Sequence, residues 1–249
     1  MNTTVQERQL HAGDLSEASV QAWLDFIEVP IHERCLRLRW VAESRAQAAV
    51  LWRFCEHHRL TMTLGDRAYE SISAKEVALR FGRLFGSSQR SIGQAMSDLL
   101  EADLLRARPH VDNVTRKIWL NWPSLQERWE AESFPELKYL ELNWIAKNKA
   151  EMVVLHALQC AQCKQQECVK LSPRELERQY RPRFGAGVDS SAVSRAIKTL
   201  TAAGTIEPVS GDMGANGSYL VPGKVEQLLQ AFYQQDLEKL PVGRVFRVK

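Results

Sequence analysis

Residues 72–122 read ISAKEVALRFGRLFGSSQRSIGQAMSDLLEADLLRARPHVDNVTRKIWLNW. Ser73 with Glu76 three residues on is a capping box, so a helix starts there. Val77, Leu79 and Phe81 are expected on its buried side, with Gly82–Gly86 as the turn that follows. Ser87 or Ser88 then caps a second helix, in which Ile92, Ala95, Met96 and Leu99 recur at three- and four-residue steps and face inward. The opposite face at the start of that helix carries Ser88, Gln89, Arg90, Ser91 and Gln94, side chains suited to hydrogen-bonding base edges or phosphates. Leu104–Arg108 and Arg116–Leu120 alternate apolar and polar residues as two strands, with Asp112 and Asn113 at the hairpin tip. Arg106, Arg108, His110, Arg116 and Lys117 make that hairpin basic.

Around this stretch, Leu15–Glu28 is predicted to be a helix capped by Ser16, with Val20, Trp23, Leu24 and Ile27 on one face. Leu36, Leu38 and Trp40 alternate with Arg37 and Arg39 as a short strand would. A helix follows from about Glu43 to His58, then a short strand at Leu60–Leu64. Ser124 with Glu127 is a further capping box, and Glu136–Lys147 is a second amphipathic helix, so 123–147 is expected to be a rigid connector.

The second half repeats the first. Asn148 and Glu151 cap a helix carrying Val153, Val154, Ala157 and Leu158. Leu171-Ser172-Pro173-Arg174-Glu175-Leu176 parallels Ile72-Ser73-Ala74-Lys75-Glu76-Val77, and Tyr180 falls where Phe81 does. Val193, Ala196, Ile197, Leu200, Ala203 and Ile206 match Ile92, Ala95, Met96, Leu99, Ala102 and Leu105 at a constant offset. Gly204 ends this helix as a left-handed cap. Ile206–Ser210 and Ser218–Val221 are the hairpin strands, Gly211–Gly217 the glycine-rich tip without Lys or Arg, and Gly223–Lys239 a closing helix before a short basic tail.

The fold expected from these elements is mainly α with small β-wings: two winged helix-turn-helix domains joined by a helical connector. The boundaries are an N-terminal helical extension at 1–34, a first domain at 35–122, the connector at 123–147, and a second domain with closing helix and tail at 148–249. The pattern resembles tandem winged-helix DNA-binding proteins such as the replication initiators of plasmids and other mobile elements. That resemblance implies that the two domains read successive major grooves of one duplex. It is also similar to the tandem winged-helix subunits that sit on the kleisin of SMC complexes, where the same fold serves protein contacts, so fold alone does not select the function.

On the DNA-binding reading, Gln89, Arg90 and Gln94 enter the groove while Arg108, Arg116 and Lys117 hold phosphates, helped by the helix N-terminus at Ser88. In the second half Ser191, Ser194, Arg195 and Lys198 take the corresponding face. Arg174, Arg178, Arg181 and Arg183 precede it as a phosphate-facing patch, unless they pair with Glu175 and Glu177. Asp189 opposes phosphate there unless it serves as the cap itself.

His156, Cys160, Cys163 and Cys168 have the spacing H-x3-C-x2-C-x4-C, which admits a structural zinc site or an iron–sulfur cluster; core packing of helix residues is the competing explanation. Cys35 and Cys55 read as core. Five cysteines in 249 residues suit a reducing cytoplasm, and no apolar run is long enough to span a membrane. A net charge of +3 permits a nucleic-acid partner only if the cations cluster. With no P-loop, G-x-S-x-G, H-E-x-x-H or Gly-rich dinucleotide fingerprint, the expected activity is non-enzymatic. The expectation is a double-stranded DNA-binding initiator or transcriptional regulator. The alternatives are an accessory or scaffold subunit of a DNA-processing or defence complex, which would have a protein partner, and a metal-sensing regulator.

Overall fold

The computed structural model describes residues 25–64, 73–109, 116–163, 168–209, 218–220 and 224–237. Residues 65–72, 110–115, 164–167, 210–217 and 221–223, those before 25 and those after 237 lie outside the described residues, and with them the expected helix cap at Ser16, both expected hairpin tips and the basic tail. The molecule is mainly helical with small antiparallel sheets, and contacts divide it into two compact units, the first comprising the chain up to Phe134 together with Leu237 and the second spanning Pro135–Asp236.

The first unit contains α1 (Ile31–Val41), α2 (Arg45–Leu64), α3 (Ala74–Phe85), α4 (Gln89–Glu101), strands β1 (Leu105–Pro109) and β2 (Arg116–Leu120), and α5 (Trp122–Ala131). α2, α3 and α4 pack against one another, and the hairpin follows α4 directly. Residues 36–40, expected as a strand, belong to α1. The alternation misleads because Arg34 and Arg39 are buried beside Cys35, Leu36, Leu38 and Val41, so this helix has no simple polar face. Burial, and then the nearby charge of Arg45, lower the Arg39 pKa to about 10. Leu60–Leu64 is likewise not a strand but the end of α2.

α3 begins where Ser73 accepts a hydrogen bond from the Glu76 amide, and it runs on to Phe85, so the turn is Gly86–Ser88 rather than 82–86. Val77, Phe81 and Phe85 form its inward stripe at four-residue steps, whereas Leu79 is 77% exposed. Gly86 turns the chain with φ +63°. Gly82 is required for a different reason: a Cβ there would lie 2.7 Å from the Ser87 carbonyl oxygen. The Ser87 amide donates to the Gly82 carbonyl at 2.8 Å, which folds the turn back onto the helix.

The residues expected as a connector are shared between the units. α5 lies in the first, its start set by Asn121 rather than by a Ser124–Glu127 box. The Asn121 amide nitrogen donates to the Asp103 carbonyl and carboxylate and to Ser124, tying α5 to the end of α4. Trp122 and Trp129 of α5 make edge contacts with Phe26.

The second unit opens with α6 (Leu137–Ile145) and continues with α7 (Lys149–Cys163), β3 (Val169–Lys170), α8 (Pro173–Phe184), a 3-10 turn (Ala186–Val188), α9 (Ser190–Ala202), β4 (Glu207–Pro208), β5 (Ser218–Leu220) and α10 (Lys224–Tyr233). α7, α8 and α9 contact one another as α2, α3 and α4 do, and α10 packs on α6. The sheet order is β3-β5-β4, with Val169 opposite Tyr219, so a strand that the pattern of residues did not reveal completes it. In α10, Val225 and Phe232 are buried but Leu228 is not.

The duplication reaches further toward the N-terminus than the expected domain boundaries. Cys35–Gln47, CLRLRWVAESRAQ, aligns with Tyr139–Glu151, YLELNWIAKNKAE. Ser44 accepts from the Gln47 amide and Gln47 in turn accepts from the Glu43 amide. Asn148 and Glu151 make the same reciprocal pair with the Glu151 and Lys147 amides. α6 is therefore the counterpart of α1.

Candidate nucleic-acid interface

The N-termini of α4 and α9 are the two places expected to meet a phosphate backbone, and they are built differently. α4 is capped by Ser88, whose hydroxyl accepts from the Ser91 amide at 3.2 Å while Ser91 accepts from the Ser88 amide at 3.0 Å. No acidic residue stands in its first turn. Gln89, Arg90 and Gln94 are exposed. Arg90 has no ionic partner among the described residues, and Gln94 is held by a bond to Asp98 at 2.8 Å. A neutral cap leaves the positive end of the helix dipole uncompensated, with a guanidinium beside it.

The N-terminus of α9 is occupied by the chain's own carboxylates. Asp189 is the cap and accepts from the Ala192 amide at 2.8 Å; Glu177, reaching over from α8, accepts from the Ser190 amide at 2.9 Å. A hydrogen bond from Arg181, then those from Ser190, holds the Glu177 carboxyl below its ordinary range. The Ala192 amide foremost does the same for Asp189. Both stay ionised at neutral pH and cancel the dipole that would attract phosphate. Ser191, Arg195 and Lys198 are exposed on α9, and Ser190 and Ser194 are half-buried.

The hairpin register sets Arg108 directly opposite Lys117 and Pro109 opposite Arg116. Arg106 is engaged locally with Asp103 at 3.4 Å.

The four arginines of α8 do not form one patch. Arg174, Arg178 and Arg181 share a face. Arg183 leaves it, lying 4.5 Å over the Tyr139 ring and 3.5 Å from Glu136. Arg178 approaches Glu175 at 4.0 Å, and Arg181 binds Glu177 at 2.6 Å.

His156 is buried, stacked on Tyr139 at 4.4 Å, and its Nδ1 shares a hydrogen bond of 2.8 Å with the Tyr180 hydroxyl. In the aligned repeats it stands where the first unit has the core residue Trp52. The Cys160 sulfur lies 3.5 Å from Nε2 and 3.8 Å from Nδ1, beside the ring rather than on the Nε2 axis. An ion shared tetrahedrally by Nε2 and this sulfur would hold the sulfur about 5 Å from Nδ1, so the Cys160 side chain and the ring would have to turn relative to each other before they could share one. Cys168 is exposed, the Cys163 side chain lies outside the description, and no group of three or more His, Cys, Asp or Glu side chains gathers among the described residues. Among these residues, too, no helix is long and apolar enough to cross a membrane.

Two features of the interface escaped the reading of the sequence: the acidic seal supplied by Glu177, and the departure of Arg183. The seal had a sequence signal, because Glu177 and Asp189 align with Ala78 and Ser88. Compared with known proteins, the chain matches no family model, no curated protein and no solved structure.

Proposed function

We propose that this chain is a double-stranded DNA-binding protein made of two winged helix-turn-helix units, an initiator or transcriptional regulator without catalytic activity. The observation that carries this reading is the N-terminus of α4. It has a neutral Ser88–Ser91 cap, no acid in the first turn, and Gln89, Arg90 and Gln94 exposed beside it. Placed in a major groove, Arg90 and Gln94 would read base edges, and the basic hairpin carrying Arg108, Arg116 and Lys117 would hold phosphates.

A second reading, an accessory subunit that docks on protein, is favoured by Leu79. This side chain stands 77% exposed on α3, between the exposed Lys75 and Arg83 one turn to either side.

Fluorescence anisotropy of the full chain on labelled duplex over a salt series separates the two. The DNA reading requires micromolar or tighter binding that weakens steeply with salt. Arg90→Ala should then cost about 1–3 kcal/mol on a selected sequence and less on random duplex. Equal losses on both would remove Arg90 as a base reader, and absence of binding at low salt would leave the protein-docking reading.

A further inference from the structure

The arginines of α8 face a different task from the helix that follows them. Arg174, Arg178 and Arg181 recur at four- and three-residue steps along one side of α8, and all three are exposed. With Glu177 and Pro182 they line a shallow depression of about 450 Å³. At about 1.5 Å of rise per residue the row is roughly 10 Å long. That is the axial length of about three phosphates on one DNA strand, at roughly 3.4 Å each.

The acids nearby do not close this row. Glu177 is turned to the Ser190 amide and to Arg181. Glu175 stands 4.0 Å from Arg178, with side-chain exposures of 67% and 84%, a pair that exchanges readily for a phosphate. Arg174 has no ionic partner among the described residues. At the same time the start of α9 is closed by Asp189 and Glu177, whose oxygens occupy the amides of Ala192 and Ser190.

The first unit reverses both features. Where α8 has Arg174, Arg178 and Arg181, α3 has Lys75, Leu79 and Gly82. Where α9 has an acidic seal, α4 has Ala78 and Ser88. Cations at the helix start and hairpin of one unit are exchanged for cations on the preceding helix of the other.

We infer that the second unit grips the phosphate backbone of duplex DNA through the outer face of α8, at Arg174, Arg178 and Arg181, and not through the start of α9. This rests on the DNA-binding reading above. It makes the second unit a clamp indifferent to base sequence, since guanidinium–phosphate contacts carry none.

The test is the salt dependence of duplex binding by the full chain, compared with Arg174→Gln/Arg178→Gln, with Arg195→Gln and with Asp189→Ser. These positions are solvent-facing or keep a capping side chain, and circular dichroism checks the fold of each. The double variant should flatten the slope of log K against log salt by about 1.8, two contacts at roughly 0.9 each, with equal losses on selected and random duplex. Arg195→Gln should leave the slope unchanged, and Asp189→Ser should not tighten binding. A wild-type slope retained by Arg174→Gln/Arg178→Gln overturns the inference while leaving DNA binding by the first unit intact. Tighter binding by Asp189→Ser, or a flattened slope in Arg195→Gln, overturns it too, by placing phosphate at α9. A wild-type chain that shows no salt-dependent binding removes the DNA reading itself, and the inference with it.

Discussion

The two units carry the same four-helix frame and treat the junction before the fourth helix in opposite ways. In the first, three residues, Gly86–Ser88, join α3 to α4; in the second, five residues, Gly185–Asp189, join α8 to α9 and include a 3-10 turn. Gly86 and Gly185 both have positive φ, so the backbone leaves each helix in the glycine-favoured region. The difference begins four residues earlier. Gly82 lets the chain double back onto its own helix, whereas the aligned position is Arg181, whose Cβ forbids that approach. The longer junction then carries Asp189 to the cap position, and Arg181 holds Glu177 beside it. One substitution of glycine by arginine therefore accompanies both a change of turn and a change of sign at the helix start. A duplicated frame can keep its packing and still present different chemistry to a partner, because packing and helix ends are decided by different residues.

The sharpest way to break this comparison is Gly82→Ala. The new Cβ would sit 2.7 Å from the Ser87 carbonyl oxygen, a backbone atom that cannot move without reopening the turn. Overpacking of this kind costs roughly 1–3 kcal/mol and exceeds the gain of alanine over glycine in a helix. The expected result in chemical denaturation is a net loss of up to about 2 kcal/mol in the first unit, with hydrogen exchange of the α4 start accelerated. Arg181→Ala, with a Cβ already in place, adds no such clash, and its cost by the same measurement should stay below about 1 kcal/mol, that of the partly exposed ion pair with Glu177. A neutral Gly82→Ala would mean that the two junctions differ for some other reason.

The inner stripe of each helix was legible in the sequence because burial at three- and four-residue steps leaves a periodic trace. Ile92, Ala95, Met96 and Leu99 are buried, as are Val193, Ala196, Ile197 and Leu200. The fifth matched pair, Ala102 and Ala203, is exposed; both are C-cap residues, placed there by the helix ending and not by the core. Periodicity failed where burial is not one-sided. α1 buries two arginines, so its residues alternate as a strand's would. The run Trp-Val-Ala-Glu-Ser-Arg-Ala-Gln at 40–47, matched by Trp-Ile-Ala-Lys-Asn-Lys-Ala-Glu at 144–151, would have placed the start of the second repeat, but it is read by alignment and not by period. At the interface, the identity of exposed residues was visible while their engagement was not. Glu177 reaches an amide 13 residues away in the chain, and Arg183 meets Tyr139 44 residues away.

A smaller effect is expected at the core position where the units differ most in polarity. Trp52 in the first is replaced by His156 in the second, and Phe81 by Tyr180; all four are buried, and in the second unit the two side chains share a hydrogen bond. Tyr180→Phe removes one partner and leaves the His156 ring nitrogen unsatisfied, which should cost about 1–2 kcal/mol in the second unit. Burial, and then the charge of Lys138, push the His156 pKa below 6.5, partly offset by Glu136, with Arg183 acting in the same sense as Lys138. The unfolded chain therefore binds the proton more readily than the folded one. This contribution to stability is fully present above the ordinary histidine pKa and is lost as pH falls below it. Denaturation followed at Trp144, which contacts Phe232 in the second unit, should show that loss on acidification below about pH 6.5. His156→Phe should flatten it, and an unchanged profile in that variant would assign the titration elsewhere.

The smallest expected difference lies where α4 and α9 end. Both close with the same backbone bonds, Leu104 to Leu99 and Thr205 to Leu200, each at 2.9 Å. The left-handed residue between is Asp103 in the first unit, φ +53°, and Gly204 in the second, φ +60°. Asp103 is strained by its Cβ, but its carboxylate and carbonyl both receive the Asn121 amide nitrogen, so strain is offset by the tie to α5. Gly204 has nothing within 4 Å of where a Cβ would stand, so Gly204→Ala introduces the conformational cost alone, about 1 kcal/mol. Asp103→Gly exchanges relief of a similar size for the lost carboxylate bond and should change stability by less than Gly204→Ala does. If Asp103→Gly instead stabilises the first unit by a full 1 kcal/mol, the Asn121 bond to the side chain contributes nothing. The two helix ends would then be equivalent in energy as well as in geometry, and the Asp103 carbonyl alone would hold α5.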